Sequence, residues 1–397
     1  MRTLCLLLAA LLLAGCAGTG SVPAETLSGI TPAAAVEAET GVDAPVAREA
    51  EAGALEVVFF NVGRADSLLL RAGGSALLLD TGTRAAAPRL LGNLRALGVT
   101  ALDAVILTHS HKDHIGGLEI LAENLPIGQI YCSALGETNK NGVLRCQKAA
   151  RDCGLPVTLL QAGETLPFGD TALDVLGPLV TNVDDDNDNS LVLGLNWEGT
   201  RWLFTGDMQF AGEKALLDAG IDLAADVLKV GNHGNPDATS PAFAAAVSPR
   251  LAVISTNTAE DTNSANPRVI ALLSPAEVYL TQDAECGWRL TQRGSDISID
   301  DPPIPPAAVL PVTLYTDAGG QTVTVTAAGD ADLSGWMLLS REKGSLFVFP
   351  EGTRLTAGSS LTVSGEKGGG DLLWSKKKPL KAGGDTVLLL GPWGRLP

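Results

Sequence analysis

The sequence predicts an α/β layered domain followed by a smaller all-β sandwich. Three observations carry this. Between residues 54 and 301 short apolar runs of strand length alternate with segments of helical period; from Asp301 the text DPPIPPAAVLP interrupts that alternation; beyond it strand-like segments recur between Gly, Pro and Asp turns with no helical stretch. Proline ends regular structure because it lacks the amide donor and fixes φ. The chain has 397 residues, more than one typical core needs, and 45% hydrophobic against 18% charged residues leaves ample apolar surface to bury.

The amino terminus, MRTLCLLLAALLLAGC, has one positive charge and a Leu/Ala run too short for a permanent bilayer span. Residues 1–16 read as a signal segment, and Leu13-Ala14-Gly15-Cys16 resembles the bacterial lipobox. That likeness implies cleavage before Cys16, acyl chains on its thiol, and a body held on the extracytoplasmic side of a membrane in the bacterial cell envelope. Residues 17–53, rich in Ala, Glu, Pro and Thr, read as a flexible tether. LEVVFFNV, SLLLRAG and SALLLDTG then read as strands, APRLLGNLRALG as a helix, LDAVILTH as a buried strand, and GGLEILAENL as a helix. VLGLNW, TRWLFTGD and DVLKVGNHG continue the strands to about residue 301. Residues 302–310 are expected to be a linker, and VTVTAA, GWMLLS, SLFVFP, SLTVSG and DTVLLLG the strands of a sandwich over 311–397.

Charge and cysteine usage exclude some functions. A net charge of −17 argues against a broad cationic surface for nucleic acid, although a metal centre can supply positive charge locally. Cys132, Cys146, Cys153 and Cys286 remain after the leader. Export would allow disulfides, in any of three pairings, and the lack of a C-x-x-C pair speaks against a cysteine zinc site.

The chemistry is concentrated in LTHSHKDHIG, residues 107–116, which holds three of the four histidines. His109 and His111 follow a strand two positions apart, so extended backbone projects both imidazoles to one side. Asp113 and His114 come as the chain turns, and Gly116-Gly117 permits a tight bend into the next helix. Imidazoles and a carboxylate converging at a strand end suit zinc or a similar divalent ion.

This H-x-H-x-D-H stretch resembles the signature of the metallo-β-lactamase superfamily. FFNVGRADSLLL, LLLDTG, DNDNSLVLGL, WLFTGDM and LKVGNHG, in that order, are similar to the hydrolase domain of ComEC-type DNA-uptake competence proteins from about Leu55 to Ile299. The resemblance implies an αββα sandwich with one or two zinc or manganese ions. His109 and His111 would bind the first metal, Asp113 and His114 the second, and Asp207 would bridge them. Water held there would lose a proton and attack a phosphoryl or acyl group. His233 is a ligand or the acid for a leaving group. Asp66, Asn189, Ser190, Lys229, Asn232 and Asn266 are assigned to supporting or substrate-contacting positions.

The sequence departs from the family pattern at several of these places. Asn232 stands where the family has histidine, Asn266-Pro267 replaces a His-Pro, and Val62-Gly63-Arg64-Ala65-Asp66 replaces a glycine-rich turn. An amide oxygen is a poorer zinc ligand than imidazole. Three outcomes are open for the second site: weak binding, a preference for manganese, or no metal. DDDNDN at 184–189 lacks the glycine and glutamate of a calcium loop and reads as a polar rim.

The region 311–397 resembles the lamin-tail domain, an immunoglobulin-like sandwich, through its Gly-Trp, Phe-Pro-x-Gly-Thr and Gly-Asp-Thr-Val-x-Leu segments. Trp336 is expected to anchor its core. Ser375-Lys376-Lys377-Lys378 reads as a solvated loop, with a phosphate contact the alternative. Together these features predict an exported, lipid-anchored metal-dependent hydrolase of phosphodiesters, with extracellular DNA the expected substrate. Hydrolysis of lactones or thioesters, and a non-catalytic binding protein with a decayed second site, are the competing expectations. No protein partner is implied.

Overall fold

The computed structural model describes residues 53–182 and 184–397, which belong to one compact unit. The leader with Cys16, and all of the expected tether except Gly53, lie outside the described residues. Among the described residues no helix is long and apolar enough to cross a membrane.

Fifteen strands build two sheets. They are β1 (Leu55–Phe60), β2 (Leu68–Ala72), β3 (Ser75–Leu79), β4 (Leu102–Leu107), β5 (Ile127–Ser133), β6 (Val157–Leu160), β7 (Thr165–Phe168), β8 (Thr171–Gly177), β9 (Val192–Trp197), β10 (Thr200–Phe204), β11 (Val227–Lys229), β12 (Leu251–Ile254), β13 (Glu277–Leu280), β14 (Gly287–Arg293) and β15 (Asp296–Asp300). The first sheet runs β15-β14-β1-β2-β3-β4-β5-β6 and the second β13-β12-β11-β10-β9-β8-β7. The helices are α1 (Ala87–Ala96), α2 (Lys112–Ile115), α3 (Leu118–Asn124), α4 (Arg145–Asp152), α5 (Phe210–Asp218), α6 (Pro241–Val247) and α7 (Pro267–Leu272).

The alternation of side chains along β1 explains the layering. Leu55, Val57 and Phe59 enter the core between the sheets, while Val58 and Phe60 enter a second core against α1 and α3. A strand buried on both faces must be apolar throughout, which is why LEVVFF is a continuous run. Its one charged residue, Glu56, is buried and accepts from Arg71 Nε at 2.8 Å. On the second sheet, Phe204 and Val227 face the first sheet, and Leu203 and Leu228 face α5–α7. The order of layers is therefore helix, sheet, sheet, helix, the αββα arrangement that the sequence resemblance implies, followed by a β-rich region.

No strand lies between Asp300 and Val312. Nine further strands follow: β16 (Val312–Asp317), β17 (Thr322–Ala327), β18 (Ala331–Asp332), β19 (Met337–Ser340), β20 (Leu346–Val348), β21 (Arg354–Leu355), β22 (Ser360–Ser364), β23 (Leu372–Leu373) and β24 (Val387–Leu390). Trp336 is buried in their core with Trp374 and Phe349. This region is packed on the first, because Met337, Leu346 and Leu390 share a cluster with Leu90, Leu94 and Leu118. The carboxyl-terminal tail crosses α1 so closely that a Cβ on Gly92 would stand 2.0 Å from the Trp393 carbonyl carbon. Lys376 forms ion pairs with Glu119, and with Glu123 at 3.1 Å. It is half-buried and already paired, unlike the rest of the solvated loop expected there; Ser375, Lys377 and Lys378 are exposed.

Candidate metal centre

The site forms where strand ends meet. β3 runs parallel to β4, and β10, β11 and β12 run parallel to one another, so their carboxyl ends open on a common edge of each sheet. β4 delivers Thr108 and His109, β10 delivers Asp207 two residues past Thr205, β11 leads to His233, and the β1–β2 loop carries Asp66. His111 has extended backbone (φ −68°, ψ 151°) and starts α2, which presents Asp113 and His114.

Asp113, His114, Asp207 and His233 each bring one donor atom within 4.8 Å of all the others. His114 Nε2 and His233 Nε2 both lie 3.1 Å from Asp207 Oδ2, and His233 Nε2 lies 3.4 Å from Asp113 Oδ2. His109 packs beside them, 4.1 Å from the His114 ring between centroids, and His111 is 4.6 Å from His109. Among the described residues, Nε2 of His109, His114 and His233 and Oδ1 of Asp207 are buried without a hydrogen bond of proper geometry. Such orphaned donors are costly in a protein interior, whereas a divalent cation would satisfy them together. The residues present therefore fit the metal that such a donor set implies.

Surrounding groups hold the rings. Asp80 Oδ2 sits 2.7 Å from His114 Nδ1 and accepts from Thr108 Oγ1 at 2.7 Å, leaving the other ring nitrogen aimed into the cluster. The Ser255 carbonyl does the same for His233 Nδ1 at 2.9 Å. Ser190 Oγ accepts from the Asp207 amide at 3.0 Å and stands 3.3 Å from His109 Nδ1. Asp186 accepts from both the amide and the hydroxyl of Ser110, and Asn189 donates to it at 3.1 Å. The acidic loop thus fastens the histidine segment, and Asp188 accepts from two amides at the start of α5.

Charge balance points the same way. Three buried carboxylates, Asp66, Asp80 and Asp207, face one buried ammonium, Lys229, which pairs with Asp66 and lies 3.6 Å from Asp207 Oδ1. Two negative charges remain. Burial alone would lower the pKa of His114 and His233, but the facing carboxylates, Asp207 foremost, outweigh it; His114 is held well above its ordinary value and His233 is raised to about 9. Burial also depresses His109, with the neighbouring His114 adding to the effect. Without metal the cluster therefore draws protons onto His114 and His233, the positions from which a divalent ion would displace them. Asp66, Asp80 and His114 form a second close group of potential ligands, but the Lys229 ammonium is already paired there with Asp66.

Asn232 has left-handed backbone (φ 42°, ψ 49°), which asparagine tolerates, and its amide donates to Asp237 Oδ1 at 2.8 Å. The departure there removes no donor from the four-residue group. Asn266 is the N-cap of α7, accepting from the Arg268 amide at 3.0 Å, and its own amide donates to the Gly234 carbonyl. Its side-chain oxygen caps the start of α7, and its backbone is tied to the glycine that follows His233. Among the described residues Cys132, Cys146, Cys153 and Cys286 are free thiols, and burial pushes Cys132 and Cys286 up to about 12, so both are poor ligands at neutral pH.

Sequence reasoning missed two residues. Asp80 follows a strand as an ordinary turn residue would, and only the register Leu79↔Ile106 brings it beside Thr108 and His114. Arg64 stands at the rim, its Nη1 3.0 Å from Asp113 Oδ2 and its Nε 3.1 Å from Asp261 Oδ2. The signal for Arg64 was its place in the departing Val62–Asp66 turn.

Comparison with known proteins bears on the family. The metallo-beta-lactamase superfamily profile matches residues 61–258, about half of the chain. ComE operon protein 3 of Bacillus subtilis is 29% identical over 270 residues, covering 62% of this chain and 34% of that protein. Competence protein ComA of Neisseria gonorrhoeae is 33% identical over 201 residues, covering 50% of this chain and 26% of that one. The chain spans about a third or less of the length of these curated relatives. A diiron beta-hydroxylase of Streptomyces venezuelae aligns at 14% identity and a TM-score of 0.43 over 62% of this chain and 54% of its own. On the profile match and the competence-protein likeness, the chain belongs to the metallo-beta-lactamase superfamily, with the His/Asp cluster of a metal-dependent hydrolase.

Proposed function

We propose that the protein is an exported, lipid-anchored phosphodiesterase acting on DNA or smaller phosphodiesters with one or two zinc or manganese ions. The observation that carries this reading is the convergence of Asp113, His114, Asp207 and His233 with their orphaned ring nitrogens. Likeness to the competence proteins supports a phosphodiester substrate, and the leader with Cys16 supports the anchor. A divalent ion in such a cluster supplies Lewis-acid polarisation and a deprotonated water near neutral pH. The protein's own residues hold the reacting groups. Asp80 and the Ser255 carbonyl orient His114 and His233, Ser190 fixes Asp207, and His111 stands at the opening where a substrate oxygen would arrive. His233, with Nδ1 bonded to a carbonyl, is read as a ligand rather than as the leaving-group acid.

The experiment is direct. Protein lacking the leader, loaded with manganese or zinc, should contain at least one ion per chain and cleave single-stranded DNA and a nitrophenyl phosphodiester. His109→Ala and Asp207→Ala should abolish both cleavages. A metal-loaded protein that cleaves neither substrate would sink the phosphodiesterase reading.

A second reading, hydrolysis of a lactone or thioester in the same centre, is favoured by the surroundings of His111. The cavity of about 500 Å³ that His111 lines also carries Glu137, Asp184, Asp185 and Asp186, which repel an extended polyanion. Relative rates on a diester and a lactone separate the two. We also propose that residues 311–397 are a lamin-tail type sandwich that braces the α1–α3 face.

A further inference from the structure

We infer that the substrate is amphipathic, with a polar reacting group at the metal cluster and an aliphatic chain seated in a separate apolar cavity under α5. The inference rests on the hydrolase reading above and adds the class of substrate. The apolar cavity, about 290 Å³, lies between the chain following β8 and α5. Leu179, Val180, Val192, Met208, Ala215 and Leu216 supply its apolar walls, and Asp188 is on its lining too.

Two observations connect it to the centre. Thr181, Asn182 and Asp184 line both this cavity and the polar one that reaches His111, so the two adjoin along a common wall. Ser190 also lines the apolar cavity, and its hydroxyl is the group that holds the Asp207 amide and stands beside His109. A molecule in the polar cavity thus meets His111, whose ring lies 4.6 Å from that of His109, and the wall shared with the apolar cavity.

The occupant follows from the lining. Aliphatic side chains on one side of the cavity suit hydrocarbon, while Asp184, Asp188 and Ser190 on its lining keep the other side polar, an amphipathic surface. Val180, with 63% of its surface exposed, leaves an apolar side chain in water at the margin of this cavity, where a bound chain would cover it. The carboxylates of the adjoining cavity make a second anionic group on the substrate unfavourable, so a single reacting head with an uncharged tail is the chemistry that fits both spaces.

The test uses the metal-loaded protein and 4-nitrophenyl phosphodiesters carrying methyl, butyl or octyl groups. In their hydrolysis water adds to phosphorus and nitrophenolate leaves. kcat/KM should rise about fourfold per added methylene until the cavity is filled. Calorimetry with methylphosphonate and octylphosphonate reads the same preference without turnover, and the octyl compound should bind at least tenfold tighter. Ala215→Phe, which fills the cavity, and Val180→Asp, which charges its margin, should bring the octyl-to-methyl ratio near one in both measurements. Because Val180 is exposed, its variant keeps the test alive if Ala215→Phe does not fold. Equal affinity for the two phosphonates in the parent protein, or an unchanged ratio in a folded variant, overturns the inference. Cleavage of DNA with no chain-length effect would leave the phosphodiesterase reading standing and remove this one. A chain-length effect in binding without diester hydrolysis would do the reverse.

Discussion

His114 Nε2 and His233 Nε2 approach one and the same oxygen, Oδ2 of Asp207, each at 3.1 Å. The two histidines are 119 positions apart in the chain and follow strands of different sheets, β4 and β11, so the cluster depends on how the sheets are stacked. Its outer oxygen donor, Asp113, is shared with Arg64 at the rim.

Asp80 should matter as much as a ligand although it touches none of the orphaned atoms. Its carboxylate sets the orientation of His114 through Nδ1 at 2.7 Å. Asp80→Ala is expected to weaken metal affinity about 10–100-fold while the fold persists. Chelator competition measures the affinity, and circular dichroism checks the fold.

Protonation and metal binding should have opposite pH dependences. In the metal-free protein His114 and His233 have raised pKa values, His233 to about 9. A raised histidine pKa contributes stability that is fully present below the unfolded value, about 6.5. That stability is lost as pH climbs through the folded value, so the metal-free melting temperature should fall between pH 7 and pH 10. Metal must displace the same protons, so affinity should rise over that window and binding should release protons. Thermal scans with and without chelator, and calorimetry in buffers of different ionisation enthalpy, test both signs.

Lys229 is predicted to be structural first. It is buried, pairs with Asp66, and donates to the Gly206 carbonyl at 2.8 Å. Lys229→Met leaves the Asp66 carboxylate buried without its counter-ion and should cost about 3–5 kcal/mol in urea unfolding. Adding Asp66→Asn should recover part of that loss. Full stability in the single variant would contradict the assignment.

Gly92→Ala gives the opposite sign to the usual helix substitution. Replacing an interior helical glycine by alanine ordinarily stabilises by about 0.5–1 kcal/mol. Here the new methyl group meets the Trp393 backbone 2.0 Å away, so the tail must leave α1. Loss of stability and faster proteolysis near the carboxyl terminus are expected. Truncation after Gly391 should restore the ordinary gain.

By itself the sequence determined the layered α/β class, the β-rich character of the last ninety or so residues, and the histidine-rich loop, because these are local properties. The continuous apolar run LEVVFF and three imidazoles within six residues carry their meaning without tertiary contacts. The roles of Asp80, Asn232 and Lys376 were decided elsewhere. Asp80 became the partner of His114 through parallel strand register, and Asn232 turned towards Asp237 in left-handed backbone. Lys376 was committed to Glu119 and Glu123 by the docking of one region on another. In each case the deciding partner is remote in sequence or depends on a backbone angle, and pairwise electrostatics acts over a few ångströms of space, a distance that residue spacing along the chain does not encode.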